Sequence, residues 1–183
     1  MFLEWRQGLM GQFFMTQILK CQIMLKFKNM NEKKTKKKVQ VVVISRSETK
    51  REVLLLEFNS NKNRGPIGFQ NITGSVEEGE VFKEAALREI AEEISIDLIL
   101  EKAEIFDIQF DHSFQDRWDN EKTVIEKTFL CLLNQKPSIT LSDEHQGYKW
   151  LIANQVLESD YTFPSNFMAL KKALEFLEVS YRK

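Results

Sequence analysis

Three glutamates, Glu89, Glu92 and Glu93, stand at i, i+3 and i+4, a spacing that puts their carboxylates on one face of a helix. Carboxylates gathered on a rigid support can hold a hard divalent cation through oxygen, or can orient and deprotonate a water. A solvated acidic face has the same spacing, and on an exposed helix such like-charge pairs cost only about 0.2–0.5 kcal/mol each. The residues ahead of the cluster tip the balance. Thr73-Gly74-Ser75-Val76-Glu77-Glu78-Gly79-Glu80 places two glycines in a short loop entering the helix, where the backbone can turn tightly and come close to a ligand or metal.

The helix that must carry these acids is predicted over Glu80 to Ile94. Leu87, Ile90, Ala91 and Ile94 recur at helical spacing, the pattern of one buried stripe, with the glutamates expected on the opposite face. Around it, Val39 to Ser45 and Glu52 to Phe58 read as two strands joined by the charged stretch Arg46 to Arg51. Asn59 to Pro66 reads as a polar loop. Ala103 to Phe110 and Lys127 to Leu133 form a second pair of strands, and Tyr148 to Ile152 a fifth. A last helix over Ser165 to Val179 has Phe167, Leu170, Leu174 and Leu177 as its apolar face. Strands interspersed with two helices predict an α/β (α+β) domain, a mixed sheet packed between helices.

The chain has 183 residues, 43% hydrophobic and 29% charged, enough for one packed core. A net charge of −1 gives no global field toward nucleic acid or an anionic membrane, so phosphate recognition must be local. No DNA partner is expected, RNA is disfavoured, and no stable membrane association is expected. Two cysteines, Cys21 and Cys131, make no disulfide framework or metal-ligand spacing and favour a reducing compartment, the cytoplasm. Residues 1 to 30 hold five of the six methionines and a broken apolar pattern, short of the roughly 20 predominantly apolar residues of a spanning helix. They read as an N-terminal extension to a domain over 31–183. The lysine run around Lys36 (Lys33-Lys34-Thr35-Lys36-Lys37-Lys38) is a solvated arm or a contact for substrate phosphates.

Gly74, five residues, Glu80, seven residues, then Arg88-Glu89-Ile90-Ala91-Glu92-Glu93-Ile94-Ser95-Ile96 resembles the Nudix box over 23 contiguous residues. At average composition, its six fixed Gly, Glu and Arg positions would arise by chance on the order of 10⁻⁵ times per chain this long. The resemblance implies a Nudix-like α/β/α sandwich and a pyrophosphohydrolase. It also implies Mg²⁺, with Mn²⁺ as a substitute, because a carboxylate-lined site repels a polyphosphate unless a cation intervenes. Carried over position by position, Glu89 and Glu93 resemble the principal metal ligands. Glu92 matches a further ligand or the base on the attacking water, and the Gly74 carbonyl a backbone ligand. Glu80 and Arg88 resemble the pair that ties helix to loop. Ser95 stands where the box usually has glycine at the helix exit, which predicts an altered exit.

Three stretches are similar to one bacterial Nudix subgroup, the dihydroneopterin triphosphate pyrophosphohydrolases, which also act on dATP. They are Phe69 to Glu80, the Glu144-His145 and Tyr148-Lys149-Trp150-Leu151 pair, and Pro164-Ser165-Asn166. The resemblance implies a small triphosphate substrate, pyrophosphate release, a folate-pathway role and Glu144 as a metal ligand from outside the box. From the residues alone, Glu144 is a loop acid, and His145 and His112 are surface or packing residues. The resemblance also implies Thr73 and Ser165 as substrate contacts, although Thr73 serves equally as a turn-stabilising hydroxyl. Trp118 either stacks on the substrate's ring or packs at a hinge. Phe58 stands where the subgroup has a basic residue, with Lys62 or Arg64 as replacements. Two rivals remain at this point, an RNA 5′-pyrophosphohydrolase and a catalytically silent nucleotide-binding module.

Overall fold

Val39-Gln40-Val41-Val42-Val43-Ile44 is buried along its whole length, which a strand achieves only when both faces of its sheet are covered. In the computed structural model, described for residues 35–46, 50–59, 68–116 and 119–180, this run lies in β1 (Thr35–Arg46) of a seven-stranded sheet. The other strands are β2 (Arg51–Phe58), β3 (Phe69–Gln70), β4 (Ile72–Ser75), β5 (Glu104–Gln115), β6 (Thr123–Leu133) and β7 (His145–Ile152). Helix α1 spans Phe82–Ile94 and α2 spans Pro164–Ser180, with short 3₁₀ turns at Ala153–Gln155 and Glu158–Asp160.

The sheet runs β3-β2-β1-β6-β5. Near its C-terminal end β1 pairs antiparallel with β2 (Ile44 opposite Val53), and near its N-terminal end with β4 (Val39 opposite Gly74). Strand β7 runs antiparallel along β2 from Glu52 opposite Ile152 to Phe58 opposite His145, with an irregularity at Glu57/Phe58.

Alternation along the strands divides the core in two. Val39, Val41, Val43, Leu54, Leu56, Phe129, Cys131 and Leu133 pack with Ala85, Ala86, Ile90 and Ile94 of α1. Val42, Ile44, Val53, Leu55, Leu130 and Leu132 pack with Ala169, Leu170, Ala173 and Leu177 of α2. This is the expected α/β/α sandwich. Residues 36–114 and 124–180 form the compact unit that holds it. Asp116 and residues 119–122 belong to another unit, in which the Asp116 N–H donates to Lys122 O at 2.9 Å and Lys122 pairs with Asp119 at 3.0 Å.

The strands run longer than the sequence predicts, and two are new. β4 overlaps the start of what reads as the loop into the helix, and β3 lies just ahead of it. Among the described residues no helix is long and apolar enough to cross a membrane. Residues 1–30, the lysines at 33 and 34, Trp118 and most of the loop at 59–66, with Lys62 and Arg64, lie outside the described residues.

Candidate active site

The loop into α1 is built by its own acids. Gly79 takes a positive φ of 82°, the Glu80 N–H reaches Glu77 O at 3.2 Å, and Glu80 Oε2 accepts the Glu77 N–H at 2.9 Å. At the third helical position Glu84 accepts the Val81 N–H at 3.1 Å, the reach-back half of a capping box, which satisfies a donor left over at the helix start.

Arg88 ties that loop to the helix. Its guanidinium donates to Glu80 Oε1 at 3.0 Å and Oε2 at 3.1 Å, to Ser75 O at 2.8 Å, to Glu89 Oε1 at 2.8 Å and to Glu92 Oε2 at 2.9 Å. The two-oxygen grip on Glu80 is the geometry in which arginine binds carboxylate best. It holds Glu80 below the usual carboxylate range, helped by the Glu77 N–H. The same partners, Glu80 first, keep Arg88 charged.

The glutamates do not share one exposed face. Glu89 and Glu93 are buried on α1 together with Ala86, Ile90 and Ile94, whereas Glu92 is exposed. The apolar stripe is shifted to match, with Leu87 half-buried and Ala91 exposed. The physical reason is β4, which packs against the side of the helix carrying Glu89. A Cβ on Gly74 would lie 1.7 Å from the Glu89 carboxyl carbon, so any side chain there would occupy the carboxylate's place. Burial pushes the Glu89 carboxyl above its ordinary pKa, with Glu92 and Glu93 adding to the rise and Arg88 opposing it.

Glu93 has a different setting. Its Oε2 accepts from Ser142 Oγ at 2.8 Å and contacts His145 Nε2, while His145 Nδ1 faces the Glu57 carbonyl at 3.3 Å. The segment carrying Ser142 also closes the end of α1, where Thr140 N–H meets Ile94 O at 3.2 Å and Ser142 N–H meets Glu93 O at 3.0 Å. His145 is therefore a buried partner of a site carboxylate, not the surface or packing histidine the sequence suggests. Its adjacency to Glu144 is the only signal that could have marked it. Ser95 also departs from expectation: it adopts the left-handed conformation (φ 50°) and donates to Ala91 O at 3.0 Å. The exit keeps a glycine's geometry, at a cost of about 1–2 kcal/mol for a side chain.

Of the other expected residues, Glu144 is exposed in the turn before β7, where its carbonyl accepts the Asn59 N–H at 2.9 Å. Thr73 is half-buried on β4 opposite Gln40, and Lys36 is exposed on β1. Ser165 is half-buried in the first turn of α2, next to Asn166, whose Oδ1 takes the Asn71 N–H at 2.7 Å. Among the described residues no three His, Cys, Asp or Glu side chains converge into a ready metal cage, because Arg88 engages Glu89 and Glu92 while Ser142 and His145 engage Glu93. A hard cation that keeps waters and substrate phosphates in its shell needs only one or two carboxylates. A desolvated Glu89 with its pKa raised fits that donor set, since added positive charge favours its ionised form.

The Nudix domain family model matches residues 36–170. This chain is a Nudix hydrolase. It is accordingly an enzyme acting on phosphoanhydride bonds of small phosphate-bearing molecules. The Nudix chain is 32% identical over 131 residues to the dihydroneopterin triphosphate diphosphatase of Escherichia coli K12, covering 68% of this chain and 84% of that protein. The solved E. coli dihydroneopterin triphosphate pyrophosphohydrolase superposes with a TM-score of 0.62 at 29% identity, covering 74% of this Nudix chain and 92% of that one. A C. elegans Ap4A hydrolase superposes with a TM-score of 0.65 at 26% identity over 79% and 98% of the two chains.

Proposed function

We propose that this Nudix hydrolase cleaves dihydroneopterin triphosphate, or a dATP-like nucleoside triphosphate, between the α- and β-phosphates to release pyrophosphate. The observation that carries the reading is Glu89, a buried carboxylate seated where Gly74 leaves room for no side chain, in a chain related along most of its length to dihydroneopterin triphosphate diphosphatases. In this reading the catalytic domain is residues 31–183, with residues 1–30 an extension, working in the cytoplasm.

Glu89 and Glu93 are the residues that would hold Mg²⁺ or Mn²⁺, with Glu144 and the Gly74 carbonyl completing the set. When bound, the cation neutralises charge on the phosphate oxygens and lowers the pKa of a water. Arg88 and Glu80 fix the loop so that Gly74 and Glu89 stay in register. Ser142 and His145 restrain one oxygen of Glu93. Glu92, exposed beside them, accepts a proton from the attacking water as its oxygen bonds to phosphorus and the anhydride P–O bond breaks, with the electron pair leaving on pyrophosphate. Thr73, Ser165, Lys36 and Trp118 are assigned to substrate contact.

Initial rates with Mg²⁺ on dihydroneopterin triphosphate, dATP, diadenosine tetraphosphate and 5′-triphosphate RNA test the assignment. The highest kcat/KM is expected for dihydroneopterin triphosphate. A preference for RNA that falls steeply with salt, as backbone contacts require, would overturn it.

A further inference from the structure

Glu126 is a buried acid that the site above does not use. It lies on β6 with 6% of its surface exposed, and the charge that acts on it is that of Lys38 on the neighbouring strand β1. Burial raises its pKa, and the nearby charge of Lys38 opposes the rise. An acid so placed is costly to a fold unless something pairs with it.

Strand alternation shows what surrounds it. Val39, Val41, Ile72, Phe129 and Cys131 face α1, so Lys38, Gln40, Thr73, Glu126 and Thr128 face the other side of the sheet. Gln40 pairs across the ladder with Thr73, and Lys38 with exposed Ser75. Thr128 Oγ1 donates to Gln40 Oε1 at 3.4 Å, while Gln40 Nε2 is buried without an acceptor. A buried acceptor, the Glu126 carboxylate, and a buried donor without a partner, Gln40 Nε2, thus stand on one polar band that crosses three strands. The band reaches β4 at Thr73, one residue from the glycine that faces Glu89. Thr73 and Gly74 are consecutive on β4, so the band and the Glu89 carboxylate lie on the two faces of one short strand that ends at Ser75.

We propose that Glu126 and Gln40 read the heterocycle of the substrate and select a 2-amino-4-oxo-pyrimidine ring, as in pterin or guanine. The inference rests on the reading above and names the group that chooses among its substrates. Such a ring presents an amino group beside a ring N–H, two adjacent donors that one carboxylate accepts together. Adenine offers an amino group beside a ring acceptor and cannot make that pair. The Gln40 amide nitrogen donates to an acceptor on the same ring, and Thr128 holds the amide through its oxygen.

Equilibrium binding of neopterin, guanosine and adenosine to the full chain without metal tests this apart from hydrolysis. The wild-type protein is expected to bind neopterin and guanosine more tightly than adenosine. Glu126→Gln should weaken the first two by about 10- to 100-fold, the span expected for hydrogen bonds to a charged group, and leave adenosine within about twofold. Gln40→Met, which keeps the volume and removes the amide, should show a smaller loss with the same selectivity and covers the case in which Glu126→Gln does not fold. Equal affinities for the three ligands, or a loss shared by all three, would overturn the inference. Selective neopterin binding without pyrophosphate release from any triphosphate would contradict the proposed reaction and leave the ring-reading role standing.

Discussion

Glu89 works against the fold that holds it. Its pKa is raised in the folded protein by burial, so its favourable contribution is fully present below the ordinary carboxylate pKa and is lost as pH rises through the folded value. Glu80 has the opposite sign: Arg88 depresses its pKa, and that stabilisation is lost as pH falls through the folded value. Glu89→Gln is therefore expected to raise the melting temperature of the metal-free protein at neutral pH, with the gain shrinking on acidification, while abolishing turnover. Thermal melts across pH check this. A neutral-pH melting temperature below wild type would show that Arg88 needs Glu89 more than burial penalises it.

At the scale of elements, the contact between α1 and β4 decides where the carboxylates point. Gly74→Ala places a methyl group on the Glu89 carboxyl and should cost about 1–3 kcal/mol in overpacking. Displacing a reacting group by about 1 Å costs on the order of 10²-fold in rate, so kcat should fall much further than stability alone explains. The turn before β7 acts on the neighbouring carboxylate. His145→Ala should weaken Mn²⁺ binding, read by electron paramagnetic resonance, by about 10- to 100-fold, the range for losing an outer-shell partner. Unchanged affinity would reduce His145 to packing.

These contacts also mark where the sequence stops being informative. The alternating apolar runs that become β1, β2 and β6, and the 3.6-residue period of both helices, are local patterns and legible as such. The box residues are legible through resemblance, because Gly74, Glu80, Arg88 and Glu89 lie within one short segment. The burial of Glu89 and Glu93 is not, since periodicity counts acids as polar and cannot see β4 closing over Glu89 or Ser142 and His145 over Glu93. β3 and β4 are too short for periodicity, and β4 contains the loop glycine. His145 meets Glu93 only through tertiary folding, so neither single histidine stands out from the other. Ser95 shows the converse: a side chain accepts the left-handed exit because the surrounding helix and turn fix it.

For the whole molecule, two cores on opposite faces of one sheet leave the site at the end where β4, α1 and the β7 turn meet. A buried asparagine pair links this end to α2: Asn71 N–H to Asn166 Oδ1 at 2.7 Å, Asn71 Nδ2 to Asn166 O at 3.1 Å, and Tyr161 OH to Asn71 Oδ1 at 3.2 Å. Asn166→Ala orphans the Asn71 N–H and should cost about 1–3 kcal/mol, a fall in melting temperature of roughly 2–4 °C per kcal/mol for a chain this size. A variant as stable as wild type would show that the network adds nothing to stability.

In the proposed reaction the carboxylates of α1 turn over a phosphoanhydride with a cation they hold. Its most direct test is pyrophosphate release from dihydroneopterin triphosphate, comparing wild type with Glu93→Gln in Mg²⁺ and in chelator. Pyrophosphate, not orthophosphate, is expected from the wild type in Mg²⁺ alone, with Glu93→Gln slower by at least about 10²-fold. Equal rates for the two proteins, or undiminished release in chelator, would contradict it.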